Sequence, residues 1–256
     1  FLIQIKEKYM KYGLLLGLLA LNYNVFASDC LPSATELCDY SQGTFYHLDN
    51  QFGLGLLGGT SDTNQGQNAN WVGAAANLDF LFTNHIYWAN TVNYQYLIND
   101  NYQQNMWFYL TKFGYEVELL RDRWSLTPYV AAGIGNNQVF FSSGNPINAG
   151  LGLRTEVALT TRNSLYADYN YQWLIDFGDS IGSGYNSYYN TNNASLQGGS
   201  NIQYIEAGYK HILNCSTGLS VYYRFNEATA VMNTGNSNVY TNYNSAGINF
   251  YWYIGG

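Results

Sequence analysis

Two sets of side chains in this sequence could do chemistry. The first is ionic: Lys112, Arg154, Lys210 and Arg224, with Asp49, Asp79, Glu116, Glu118, Glu156, Asp168 and Glu206. Each falls in a strand-like run and lies on the face away from that run's apolar set. Gathered inside a narrow barrel, charges of both signs should pair, because an unpaired buried charge is costly. They would make a plug of ion pairs or, since acids outnumber bases, a narrow polar conduit preferring cations. The second set is catalytic in type: Asp100, Asp176 and Asp179 with a histidine could activate water, and the histidines are His47, His85 and His211. No His or Cys spacing suggests a metal, and no glycine-rich stretch sits between a strand and a helix to cradle phosphate, so no cofactor is expected. Cys30 and Cys38 are close enough to pair in an oxidising compartment, with Cys215 left over.

The elements that must position these residues are strands. In 149–160 the residues Leu151, Leu153, Val157 and Leu159 share one face while Arg154 and Glu156 take the other, because side chains alternate along a strand. After the short turn Thr161, Arg162, Asn163, the run 164–176 repeats the arrangement with Leu165, Tyr169 and Trp173 against Tyr166, Asp168 and Gln172. The same phase recurs in 44–60, 70–82, 86–99, 105–120, 125–138, 201–213, 217–231 and 240–254. That is about ten strands, an even number, and the connections alternate between tight turns and longer loops. Such a pattern predicts an all-β fold, a transmembrane up-and-down antiparallel β-barrel with its longer loops outside the cell.

Composition fits that reading. The 256 residues are 47% hydrophobic and 18% aromatic but only 11% charged, against about 25% charged in an ordinary globular domain. Lys6, Lys8 and Lys11 precede the apolar run 13–21, and Val25-Phe26-Ala27 offers a cut before Ser28. This is the layout of a secretory signal peptide over 1–27, with Met10 a plausible start and 1–9 an upstream extension. The expected organisation is then a periplasmic lead over 28–43 and a barrel over 44–254. Removing 1–27 takes away three lysines and one glutamate, moving the net charge from −7 to −9 and arguing against nucleic acid as a partner.

Alternation alone permits a soluble sheet with the apolar face in its core. Tryptophan placement favours the membrane: Trp71, Trp88, Trp107, Trp173 and Trp252 fall near strand ends and Trp124 in a turn, as in an interfacial girdle. The chain direction puts Trp88, Trp124 and Trp252 at the periplasmic rim and the other three at the outer rim. The partners this implies are outer-membrane lipid and lipopolysaccharide.

The stretch Leu126-Thr-Pro-Tyr-Val-Ala-Ala-Gly-Ile-Gly135 resembles the "PYVGAGIG"-type strand of opacity-protein-like and OmpA-like outer-membrane barrels, and Ile205-Glu-Ala-Gly-Tyr-Lys210 is similar to one of their late strands. The resemblance implies a Gram-negative outer membrane and a surface role, with porin-like and adhesin functions both open. It also implies eight strands as the alternative to ten, and a final aromatic residue where this chain has Tyr253 followed by Ile-Gly-Gly. Outer-membrane proteases similar to omptins, and lipid-A hydrolases, need a rim histidine on the outer side. His85 and His211 fall at periplasmic turns and His47 begins the first strand, so the chain is not expected to be an enzyme. Loop 177–200 holds Tyr185, Tyr188 and Tyr189 among Gly, Ser and Asn, a composition suited to recognition of a host or surface ligand.

Overall fold

A computed structural model of the chain describes residues 50–63, 68–82, 84–99, 102–120, 123–135, 147–175, 200–214, 217–230 and 239–254. The expected signal peptide and lead, Asp49, His47, the three cysteines, Asp100, Asp176, Asp179 and the loop tyrosines Tyr185, Tyr188 and Tyr189 lie outside the described residues.

Eleven strand segments follow one another: β1 (Asn50–Thr63), β2 (Asn68–Leu81), β3 (Ile86–Asn99), β4 (Tyr102–Tyr115), β5 (Val117–Leu119), β6 (Trp124–Gly135), β7 (Ile147–Thr160), β8 (Asn163–Ile175), β9 (Asn201–Asn214), β10 (Thr217–Ala230) and β11 (Val239–Tyr253). Neighbours in sequence pair antiparallel, and β1 pairs with β11 from Gln51↔Tyr253 to Thr63↔Thr241, which closes the sheet. β4 and β5 both pair with β6, so they form one interrupted strand and the wall has ten staves rather than eight.

The interruption has a chemical cause. Register is the same on both sides of it, with Gly114↔Tyr129 before and Val117↔Leu126 after. Of the two lapsed rungs, that of Tyr115 faces Pro128, which has no N–H to give to a ladder, and that of Glu116 faces Thr127. Pro128 keeps its other neighbour, pairing with Leu153 of β7. Glu116, at the gap, donates its N–H to the His85 carbonyl at 2.8 Å. His85 and Leu120, in the short turns at this end, both adopt the left-handed conformation, at φ of 63° and 54°.

Closure decides which face is inside. Leu56, Val72, Val130, Leu151, Ile205 and Val221 are exposed on the outer surface, while Lys112, Glu116, Asp168, Asn170, Gln172 and Glu206 are buried within the barrel. A soluble sheet would reverse this. Each large apolar side chain left facing water instead of an apolar medium forfeits roughly 1.5–3 kcal/mol, so the outward band requires lipid. The chain is a transmembrane β-barrel.

Candidate functional site

The barrel interior is built by the inward phase of each strand, and its contents change from one end to the other. Towards the longer loops, Leu57, Ala69, Trp71, Ala75, Leu97 and Met106 from β1 to β4 form an apolar cluster. At mid-height, Leu110, Tyr129, Ala131 and Tyr204 pack together with Phe108 against them. The charged residues occupy the rest, mostly on β7 to β10.

Lys112 of β4 reaches across the lumen to Asp168 of β8, with Nζ to Oδ2 at 2.5 Å, although 56 residues separate them in sequence. The Tyr129 hydroxyl donates to the other oxygen of Asp168. Asn170 donates to the Tyr129 hydroxyl at 3.2 Å and Gln172 to Asn170 at 2.5 Å, so one chain of hydrogen bonds runs up the inner face of β8. Register sets Asp168 directly opposite Glu206, and like charges in that relation repel. The second acid is matched in turn: Arg224 contacts Glu206 at 2.5 Å and Tyr166 donates to it at 2.9 Å.

Glu156 takes the remaining two cations. Arg154 lies at 3.3 Å and Lys210 at 2.7 Å from its Oε2, while Ser164 donates to Oε1 at 2.7 Å. Tyrosine rings lie against these cations as well: Lys112 is 4.9 Å from the Tyr129 centroid, Arg154 5.0 Å from Tyr166 and Arg224 4.9 Å from Tyr204. Charge-assisted bonds and ring faces together satisfy the four lumen cations.

At the short-turn end the lumen widens into a cavity of about 70 Å³, lined among others by Gln51, Asp79, Tyr87, Glu116, Arg154, Glu156 and Lys210. Asp79 accepts the Gln51 amide N–H at 2.7 Å. Volume of this order holds a few waters and no large solute.

Two expected site residues stand elsewhere. Glu118 shares the parity of Glu116, but β5 pairs only with β6 and runs past the start of β3, so no wall encloses it. Its side chain is half-exposed, 3.8 Å from His85 Nδ1, and it is not part of the lumen network. Trp71 is 3% exposed and inward, whereas Trp88, Trp107, Trp124, Trp173 and Trp252 are between 37 and 47% exposed and outward. Val72 faces out, so its neighbour Trp71 must face in. The outward indoles have local partners: Trp88 stacks on Phe80 at 5.6 Å, Trp252 on Phe52 at 6.0 Å, and Trp124 donates to Thr155 at 2.7 Å.

The lumen tyrosines are the residues that sequence reading leaves without individual roles. Tyr129, Tyr166, Tyr222 and Tyr251 each face a glycine directly across a strand pair, namely Gly152, Gly208, Gly247 and Gly218. In each case the ring occupies the space that a β-carbon on the glycine would need. The wall is thus lined by rings laid flat against it.

No family model matches this chain, and no curated protein does. Among solved structures it is similar to Neisserial surface protein A, at 13% identity over 78% of this chain and 95% of that one, with a TM-score of 0.37. It is also similar to the β domain of the Bordetella autotransporter Brka, at 10% identity over 80% and 99% with a TM-score of 0.47, and to outer membrane protease OmpT from Escherichia coli, at 10% identity over 81% and 97% with a TM-score of 0.42. Likenesses of this size concern the barrel fold alone.

Proposed function

We propose that this chain is an outer-membrane protein of a Gram-negative bacterium in which a plugged barrel serves as a membrane scaffold for surface loops, with a structural and adhesive role. The observation that carries the reading is the filled lumen, where Lys112, Arg154, Lys210 and Arg224 are each tied to a carboxylate. A barrel of this strand number has an interior barely wider than its own side chains. Its outer band meets lipid, and lipopolysaccharide in the outer leaflet. A host or surface ligand would be met by the connections expected outside the cell, above all 177–200 with Tyr185, Tyr188 and Tyr189.

The enzyme reading has less support. His85 lies in a short turn and His211 near another, with its Nδ1 2.7 Å from the Asn163 side chain. Neither histidine is near the long loops, where a protease of this architecture would meet its substrate. The small-porin reading rests on the polar cavity at the short-turn end.

Planar-bilayer conductance of the refolded barrel separates the two leading readings. A folded, silent barrel is expected. Discrete ion-selective steps would replace the scaffold with a small porin. For adhesion, removing residues 178–199 should leave a folded barrel and abolish binding to host cells or matrix; equal binding by the shortened protein would remove that role.

A further inference from the structure

The outward face of the barrel carries two polar side chains at a depth where lipid offers them no partner. Trp88, Val92 and Tyr94 of β3 and Trp107 and Phe113 of β4 are exposed, and Asn90 and Thr111 share their parity and are direct partners across the two strands. Register gives their depth, because rows of partners climb a tilted wall from one rim to the other. From Trp252 at the short-turn rim the row passes through Phe52 and Leu78 to reach Asn90. From Trp173 at the outer rim it passes through Ala149 and Ala132 to reach Thr111. The pair therefore stands midway between the two indole rows. Elsewhere the middle of the band holds aliphatic residues such as Leu151, Leu153 and Ile205.

Aromatic side chains reach both residues, yet one group stays unmet. The Tyr109 hydroxyl donates to Asn90 Oδ1 at 2.7 Å, and the Trp88 indole N–H donates to Thr111 Oγ1 at 3.2 Å. Asn90 Nδ2 has no acceptor. Turning the amide over moves the deficit to the oxygen without removing it, since Tyr109 meets only one end. The residue is half-buried, so rotation about its side-chain bonds brings the amide to the surface. Hydrocarbon supplies neither donor nor acceptor there, so the amide keeps an unmet group as long as the barrel is alone in lipid.

We propose that Asn90 and Thr111 form the centre of a contact between two copies of this chain, with the two Asn90 amides hydrogen-bonded to each other in the middle of the membrane. Copies inserted the same way form a closed pair about a two-fold axis along the membrane normal, and a residue beside that axis meets its own counterpart at the same depth. A carboxamide suits such a contact, because it both donates and accepts and is thus complementary to itself. A carboxylate or an ammonium in its place would repel its copy. The neighbours allow close approach: Ala132 is the partner of Thr111, and Ala76 of β2 lies diagonal to Asn90. Short side chains serve the same purpose where helices meet in membranes. The contact is independent of what the loops bind and of whether the lumen conducts.

The test is sedimentation equilibrium of the full refolded barrel in density-matched neutral detergent, under reducing conditions so that no disulfide joins the copies. A reversible equilibrium between monomer and dimer is expected. Asn90→Leu puts an aliphatic side chain on a lipid face and should refold, while its dimer dissociation constant rises by at least about tenfold, as the loss of net hydrogen bonding between the copies implies. Val221→Ala, on the far side of the closed sheet, should leave the dimer as tight as in the parent. Förster transfer between donor-labelled and acceptor-labelled chains in lipid vesicles should rank the variants in the same order. A parent that is monomeric at every concentration in both media overturns the proposal. So does a dimer that Asn90→Leu leaves equally tight, since the contact would then lie elsewhere on the wall. Should Asn90→Leu not refold, Asn90→Ala carries the same comparison.

Discussion

The Tyr129 ring lies across Gly152, its direct partner on the next strand, and fills the space a β-carbon there would take. The hydroxyl at the end of that ring holds Asp168, which holds Lys112. A residue with no side chain therefore sets the position of a buried ion pair. Gly152→Ala should push the ring away and separate its hydroxyl from Asp168, at about 1–3 kcal/mol for overpacking and the lost bond. Tyr129→Phe removes the bond without the clash and should cost about 1 kcal/mol. In urea titrations of the folded barrel, the double variant should lose less than the sum of the two. Strict additivity would show that the glycine acts on something other than this tyrosine.

Among the described residues Lys112 is the cation paired with Asp168, while Arg154, opposite Asp168 in register, is turned to Glu156. Lys112→Met leaves a buried carboxylate with only Tyr129 to solvate it, and breaking such a pair costs about 3–5 kcal/mol. Adding Asp168→Asn should recover much of that loss, because the amide is neutral and still accepts from Tyr129. The denaturant midpoint of the double variant should lie above that of Lys112→Met. If it lies below, the network is held by packing rather than by charge.

The phase of each strand is legible in the sequence because alternation needs no knowledge of neighbours: Asp168, Glu206 and Arg224 fall inside just as Leu165, Ile205 and Val221 fall outside. Trp71 shows what happens when distance from a strand end is weighed above parity, since the outward side chain of Val72 already determines that Trp71 points in. Glu118 differs for another reason. Its parity matches that of Glu116, but whether a wall stands beside it depends on how far β3 extends, and stagger between strands leaves no periodic trace. The tyrosine–glycine pairs need register too, which turns and closure fix together. The pairing of Lys112 with Asp168 across the lumen depends on closure itself.

Depth in the membrane can be read from register. Val157 faces lipid beside Trp124, close to the short-turn rim, while Leu153 lies midway between Val157 and Ala149, the partner of Trp173. An arginine at the bilayer midplane costs about 2–4 kcal/mol and one near the interface about 0–1 kcal/mol. Leu153→Arg should therefore fall in the first range and Val157→Arg in the second, as measured by unfolding from lipid vesicles. Equal costs would mean that the two outward indole rows do not mark the membrane boundaries.

Trp71 fills the loop-side half of the lumen among Leu57, Leu97 and Met106, against its cross-strand partner Gly59. Trp71→Ala opens a void that an antiparallel wall cannot collapse to fill, so the cost should be about 3–5 kcal/mol in urea titration. The ion pairs of Lys112, Arg224 and Glu156 lie nearer the short-turn end and are untouched by the change. If those pairs are the barrier to ions, Trp71→Ala remains silent in planar bilayers despite its lower stability. A conducting Trp71→Ala barrel would instead place the barrier in the apolar cluster, where a hydrophobic constriction excludes ions by staying dry.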